Sequence, residues 1–245
     1  MSVEVVRLTD RVYLIGGAAY GYSAFGDCNM YLVDCGEALA MIDTGGGGGI
    51  PKVIENIKRM ELDPEMLEIA FITHCHYDHI GGNHALREAT GCRIAAHELE
   101  AGEIESPGEL ALHARAREKG LDFKPTKVDL ILKDGQRVEV GEVEFEVVHT
   151  PGHTSGGICL LREEDDARSL FTGDTASAQG RFGWMNGPGC SLPEWKASIK
   201  KLIELKPDRL FPGHGVFVLS GALEHLMLLD EKINAPWTTI ITEIG

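Results

Sequence analysis

The chain has 245 residues, 43% hydrophobic and 25% charged, a composition that builds a sizeable core and suits one large globular domain. A formal charge of −15, with 23 basic residues that no Lys/Arg-rich run gathers into a patch, argues against nucleic acid and anionic membranes as partners. Its longest apolar runs, ALAMI (38–42) and IAFIT (69–73), fall far short of the ~20 residues that span a bilayer, and MSVEVVRLTD opens with charges, so a cytoplasmic protein off the membrane is expected.

In chain order, VEVVRL and RVYLIG predict a hairpin turning at Thr9-Asp10, and NMYLVD and ALAMIDT a second one through Cys35-Gly36-Glu37. DTGGGGG closes this segment, and Pro51 opens a helix that puts Val53, Ile54, Ile57 and Met60 on one face. IAFIT is a strand leading into THCHYDHIGG (73–82), after which a helix runs to Thr90 with Gly91 as its cap, followed by the strand RIAA. Two polar helical pieces at about 97–118 read as peripheral. VDLIL, QRVEV, VEFEVVHT, GICLLR and SLFTG then predict a second block of strands. Ser191 and Glu194 suggest a capping box at the head of a helix carrying Trp195, Ile199, Leu202 and Ile203. RLF is a last short strand and 219–232 a last helix, and no linker divides the chain, so residues 1–245 read as one domain. Two strand blocks, each followed by amphipathic helices, imply an α/β four-layer sandwich: two sheets face to face with helices outside. The tail PWTTIITEIG either pairs on a sheet edge or builds a homodimer with a neighbouring subunit. Cys28, Cys35, Cys75, Cys92, Cys159 and Cys190 show no framework spacing and read as reduced thiols.

THCHYDHIGG concentrates His74, His76, Asp78 and His79 in six positions. His74 and His76 leave a strand two residues apart and point the same way, while Asp78 and His79 begin the next helix. Imidazole nitrogen and carboxylate oxygen suit zinc or iron, and such a set leaves a position open for water. His153 in HTPGHTSGG, Asp174 in FTGD and His214 in FPGHG each follow a strand-like run. Singly, each also reads as an ordinary turn residue; together they supply what a two-metal site needs. DTGGGGG lacks the lysine of a P-loop, so its glycines serve a turn or a close backbone approach. Cys75 faces the core, His149 supports His153, and His84, His97, His113 and His225 read as surface or helix residues.

THCHYDH, HTPGHTSGG, FTGD and PGHG, in that order and preceded by NMYLVD and IDTG, resemble the metallo-β-lactamase-fold hydrolases over about Asn29 to Gly215. The resemblance implies an αββα sandwich of two mixed sheets with the metals at the sheet edges. It implies His74, His76 and His153 as ligands of one ion, Asp78, His79 and His214 as ligands of the other, and Asp174 as the carboxylate bridging both. It further implies two divalent ions, zinc by default with iron or manganese as alternatives, and Asp78 as a second-metal ligand or, with that position empty, a base that orients water. Asp174 stands where the main class of zinc β-lactamases carries cysteine, which disfavours antibiotic hydrolysis. The flavodiiron reductases differ at His76 and carry a further domain. Glyoxalase II matches the motifs, although only 31 residues follow His214, too few for the helical domain of its full-length members. The quorum-quenching lactonases typically have a tyrosine where Ser177 stands.

Substrate contacts are expected from AAYGYSAFGDC (Tyr20, Tyr22, Phe25) and QGRFGWMNGPG (Arg181, Phe182, Trp184), an apolar pocket with one cation or else ordinary surface loops. The reading is a dinuclear hydrolase of a small-molecule ester-type bond, in the order thioester, lactone, carboxyl ester, phosphoester. A mononuclear iron persulfide dioxygenase is the alternative, and a non-catalytic binding protein the third.

Overall fold

The computed structural model describes residues 5–121, 123–164, 167–183 and 186–235. Strands β1 (Val6–Arg7) and β2 (Val12–Gly16) form the first antiparallel hairpin, β3 (Met30–Asp34) and β4 (Leu39–Ile42) the second. Helix α1 (Ile50–Arg59) leads to β5 (Leu67–Phe71), parallel to β4. The one-turn helix α2 (Tyr77–Ile80), α3 (Asn83–Thr90), strand β6 (Arg93–His97) and helices α4 (Glu98–Glu105) and α5 (His113–Glu118) follow. Strand β7 (Leu130–Leu132) completes a seven-stranded sheet in sequence order, antiparallel from β1 to β4 and parallel from β4 to β7. The second sheet holds β8 (Arg137–Val140), β9 (Val143–His149), β10 (Ile158–Glu163) and β11 (Arg168–Gly173), antiparallel to one another. Helix α6 (Leu192–Glu204), strand β12 (Arg209–Pro212), parallel to β11 at the sheet edge, and α7 (Ala222–Asn234) end the fold.

Period-two alternation along strands that are apolar on both faces dictates the layers. On β3, Met30 and Leu32 turn to a cluster shared with Val53 and Ile57 of α1, while Tyr31 and Val33 turn to one shared with Phe145 and Val147 of β9. On β10, Leu160 joins that inter-sheet cluster, and Cys159 and Leu161 pack with Trp195, Ile199 and Leu202 of α6 and Leu226 and Leu229 of α7. Aromatic pairs clamp the two sheets together, with the rings of Phe71 and Phe145 5.1 Å apart and those of Tyr31 and Phe171 5.7 Å. Burial of each such ring contributes about 1.5–3 kcal/mol. The expected αββα sandwich of two mixed sheets is therefore the fold.

Four local expectations change. VDLIL belongs to the first sheet, not the second block, because β7 finds a parallel partner in β6. The helix after the histidine cluster is broken into α2 and α3 at Gly81-Gly82. Ser191 does head α6, but its backbone N–H donates to Gly152 O at 2.8 Å, so the donor that Glu194 would capture is already used and no capping box forms. Helix α4 is not peripheral, since Ala101 and Ile104 enter the core and Glu100 is 1% exposed. All six cysteines are free thiols, and Cys75 is buried in the core beneath α1 and α3, where burial and Glu100 raise its pKa well above the ordinary value. Among the described residues no helix is long and apolar enough to cross a membrane. The tail from Pro236, with its edge-pairing and dimer readings, lies outside the described residues.

The glycine run has the close-approach role. A Cβ on Gly81 would overlap the Gly46 backbone, and one on Gly47 would sit 2.8 Å from Gly81 O, so the DTGGGGG turn packs backbone to backbone on the turn after His79. Gly81→Ala should therefore cost about 1–3 kcal/mol through overpacking, whereas Gly102→Ala, where nothing lies within 4 Å of the new methyl, should be neutral or stabilising; denaturant unfolding compares the two.

Candidate metal centre

Five of the seven candidate ligands sit just beyond the C-terminal end of a strand, His74 and His76 after β5, His153 after β9, Asp174 after β11 and His214 after β12, while Asp78 and His79 lie on α2. Cross-links hold these ends level. Ile158 N–H donates to Thr73 O at 2.8 Å, Gly213 N–H to Gly173 O at 2.7 Å, and Asn29 N–H to Gly213 O at 2.7 Å. The Asn29 side chain adds bonds to Pro212 O and Gly215 O, both 3.0 Å, so strand β3 secures the loop that carries His214.

His74, His76 and His153 are 3–4% exposed, and their nitrogens converge. His74 Nε2 and His153 Nε2 lie 3.1 and 3.0 Å from His76 Nδ1. One ring nitrogen facing two others has too few protons to satisfy all three by hydrogen bonding. Ligands about 2.0–2.1 Å from a tetrahedral ion lie about 3.3 Å from each other, close to the spacing here. Burial, reinforced by neighbouring histidines, lowers the pKa of His74 far below the ordinary value and that of His76 to about 3. Both rings stay neutral at physiological pH, the state in which imidazole binds metal.

A second group forms from Asp78, His79 and His214, with His214 Nε2 3.1 Å from Asp78 Oδ2. Asp174 stands between the two groups: its Oδ2 is 3.5 Å from His153 Nε2 and 3.7 Å from His214 Nε2, and its Oδ1 is 3.4 Å from His79 Nε2. Burial alone would raise the Asp174 pKa, but His214, His79 and His153 outweigh it and hold the carboxyl ionised. Asp78 is also held below the ordinary carboxylate range, because His214 and His79 overcome its burial. The buried His79 Nε2 and Asp174 Oδ1 face each other with no hydrogen-bond partner, which is what two ligand atoms aimed at a shared cation look like. The donor set fits divalent metal.

Sequence reasoning missed Asp43, the Asp of IDTG, which is 1% exposed. It accepts from Thr73 N–H and Thr73 Oγ1–H, each at 2.8 Å, and faces His79 Nδ1 at 2.8 Å. A carboxylate there fixes Nδ1 as the protonated nitrogen and leaves Nε2 with its lone pair. The available signal was its place at a strand end beside a glycine turn. His149 supports the His153 loop at one remove, donating from Nε2 to Ser155 O at 3.0 Å. His97, read as surface or helix, is instead buried and stacked on His149 at 4.1 Å, and burial with that neighbour lowers its pKa to about 4.

Beside Asp174 and His214 opens a cavity of about 650 Å³ that includes Arg181, Phe182, Phe217 and Val218, within the usual range of small-ligand sites. Arg181 and Phe182 thus lie where the loop reading expects them. Tyr20 and Tyr22 stack on each other at 5.7 Å, and Tyr20 leans on Phe217 and donates to Gly215 O at 3.0 Å, so they buttress the cavity wall. Phe25 is 85% exposed and outside the cavity. Trp184 lies outside the described residues. His225, read as surface or helix, lines the cavity and accepts from Gln179 N–H at 2.8 Å.

An αββα sandwich with histidine and carboxylate groups gathered at the strand ends defines a metal-binding hydrolase class. A sequence profile of the Metallo-beta-lactamase superfamily matches residues 24–214, and the chain belongs to that superfamily. It is 28% identical over 218 residues to the human acyl-coenzyme A thioesterase MBLAC2, covering 79% of this chain and 75% of that one. It is 27% identical over 222 residues to the beta-lactamase-like protein 2 homolog of Drosophila melanogaster, covering 86% of this chain but only 66% of the fly protein. Among solved structures, the subclass B3 metallo-beta-lactamase BJP-1 of Bradyrhizobium japonicum superposes with a TM-score of 0.77 at 21% identity, over 99% of this chain and 96% of that one.

Proposed function

We propose that this protein is a dinuclear metal-dependent hydrolase of small ester-type substrates, thioesters first, then lactones, carboxyl esters and phosphoesters. The observation that carries the reading is Asp174, one ionised carboxylate facing both ligand groups. His74, His76 and His153 would hold one ion and Asp78, His79 and His214 the other, with Asp174 shared; zinc is the default, with iron or manganese as alternatives. Divalent metal at such a site supplies a water of lowered pKa as nucleophile and polarises the scissile carbonyl. The chain's part is to hold His74 and His76 neutral and Asp78 and Asp174 anionic, and to seat the substrate. The apolar side of the cavity, Phe182, Phe217 and Val218, suits an acyl group, and the exposed Arg181 at its edge suits an anionic carrier. The human relative's thioesterase name supports placing thioesters first.

A persulfide dioxygenase needs one iron on two histidines and one aspartate, which leaves four of the seven residues without a metal role; the position of Asp174, 3.4–3.7 Å from histidines of both groups, supports two ions instead. Protein purified without chelator should carry about two ions per chain, and should hydrolyse S-lactoylglutathione or an acyl-coenzyme A. Chelation should abolish turnover and zinc or manganese restore it. One iron per chain with oxygen uptake on glutathione persulfide would overturn the proposal.

A further inference from the structure

We propose that Glu100 is a positioning residue for the three-histidine half of the centre, its carboxylate joining the loop of His74 and His76 to the loop of His153. The inference rests on reading that cluster as a metal site. Glu100 Oε2 accepts from Cys75 N–H at 2.6 Å, on the residue between the two histidines. Glu100 Oε1 accepts from Gly156 N–H at 2.8 Å, three residues beyond His153. The two loops leave different sheets, and nitrogens they carry must meet within 3.0 Å. Besides the Thr73–Ile158 bond and the His76–His153 approach itself, the Glu100 carboxylate ties the two loops to each other through their backbones.

The local packing is built around this carboxylate. Gly156 has an ordinary φ, but a Cβ there would lie 2.5 Å from Glu100 Cγ and 3.0 Å from Leu99 Cβ, so the glycine is required by the approach of α4. Glu100 is 1% exposed. A buried carboxylate costs free energy that an apolar filler would not, and two charge-assisted amide bonds are what offset it. The fixed charge therefore holds two backbones, and through them the histidine nitrogens.

Glutamine keeps the size of the side chain but presents an NH2 group to one of the two amide N–H groups, which breaks one tie. Cobalt(II) titration of the metal-free protein, followed by visible absorption, reads the effect apart from turnover. Glu100→Gln should weaken one of two binding events by about 10–100-fold, the usual cost of disturbing groups behind metal ligands, and alter the cobalt bands, while the other event and the far-ultraviolet circular dichroism stay as in wild type. Cys75→Ala removes the thiol contact to Glu100 but keeps the Cys75 N–H that the carboxylate grips, so both events should stay close to wild type. Glu100→Ala should exceed Glu100→Gln; should it fail to fold, Glu100→Gln carries the test alone. Wild-type affinity and bands in folded Glu100→Gln would overturn the assignment. Failure of wild type to take up cobalt would instead overturn the metal reading beneath it.

Discussion

Asp174→Asn should give a folded protein whose kcat/KM on the best wild-type substrate falls by about a thousandfold or more, with metal content dropping from about two ions per chain toward one. Asparagine has the same shape, so the packing of the loop after β11 is kept, and only charge is lost. That charge is what His79, His153 and His214 face at 3.4, 3.5 and 3.7 Å. Two divalent ions a few ångströms apart repel, and a shared anion offsets that repulsion; a neutral amide cannot. The three-histidine group keeps all its nitrogens and should retain its ion. Metal analysis and steady-state kinetics on the same sample test both halves, and a variant that keeps two ions and near-wild-type turnover would refute the bridging role.

The ligands were legible because each lies in a short motif at the end of an apolar run, and strand ends are where this fold gathers its loops. His74, His76, Asp78 and His79 are local in sequence; His153, Asp174 and His214 each read alone as a turn residue, together supply what a two-metal site needs, and are divided between the two ions only by the family resemblance. The layers were legible for a related reason: strands apolar on both faces have to be covered twice. What stayed hidden depends on distant pairing. VDLIL announces a strand but not its sheet, because its partner β6 lies some thirty residues earlier across two helices. Glu100 sits in a polar helical piece that resembles a solvated face, and its burial appears only when two loops close over it. The substrate loops divided: Arg181 and Phe182 reach the cavity, but Val218 and Phe217 arrive from the segment after His214, where nothing in the sequence marked a pocket.

Asp43→Asn should separate assembly of the centre from the rest of the fold. Asn tolerates the left-handed backbone that Asp43 adopts, φ 59°, and can still accept from Thr73 N–H. Its NH2, however, would replace the oxygen that faces both Thr73 Oγ1–H and His79 Nδ1. Facing a donor, His79 shifts its proton to Nε2, and the nitrogen aimed at Asp174 loses its lone pair. Affinity for the second ion should fall by at least about 10–100-fold, with the three-histidine ion retained, and a proton-detected nitrogen correlation spectrum should show His79 in the Nε2–H tautomer. Asp43→Ala goes further, because it leaves the Thr73 amide and hydroxyl and the His79 ring unpaired inside the core, an expected loss of about 3–5 kcal/mol in denaturant unfolding of the metal-free protein. Two tight ions and an Nδ1–H tautomer in Asp43→Asn would show that His79 is oriented by its own packing, and that the aspartate of IDTG serves only the turn it closes.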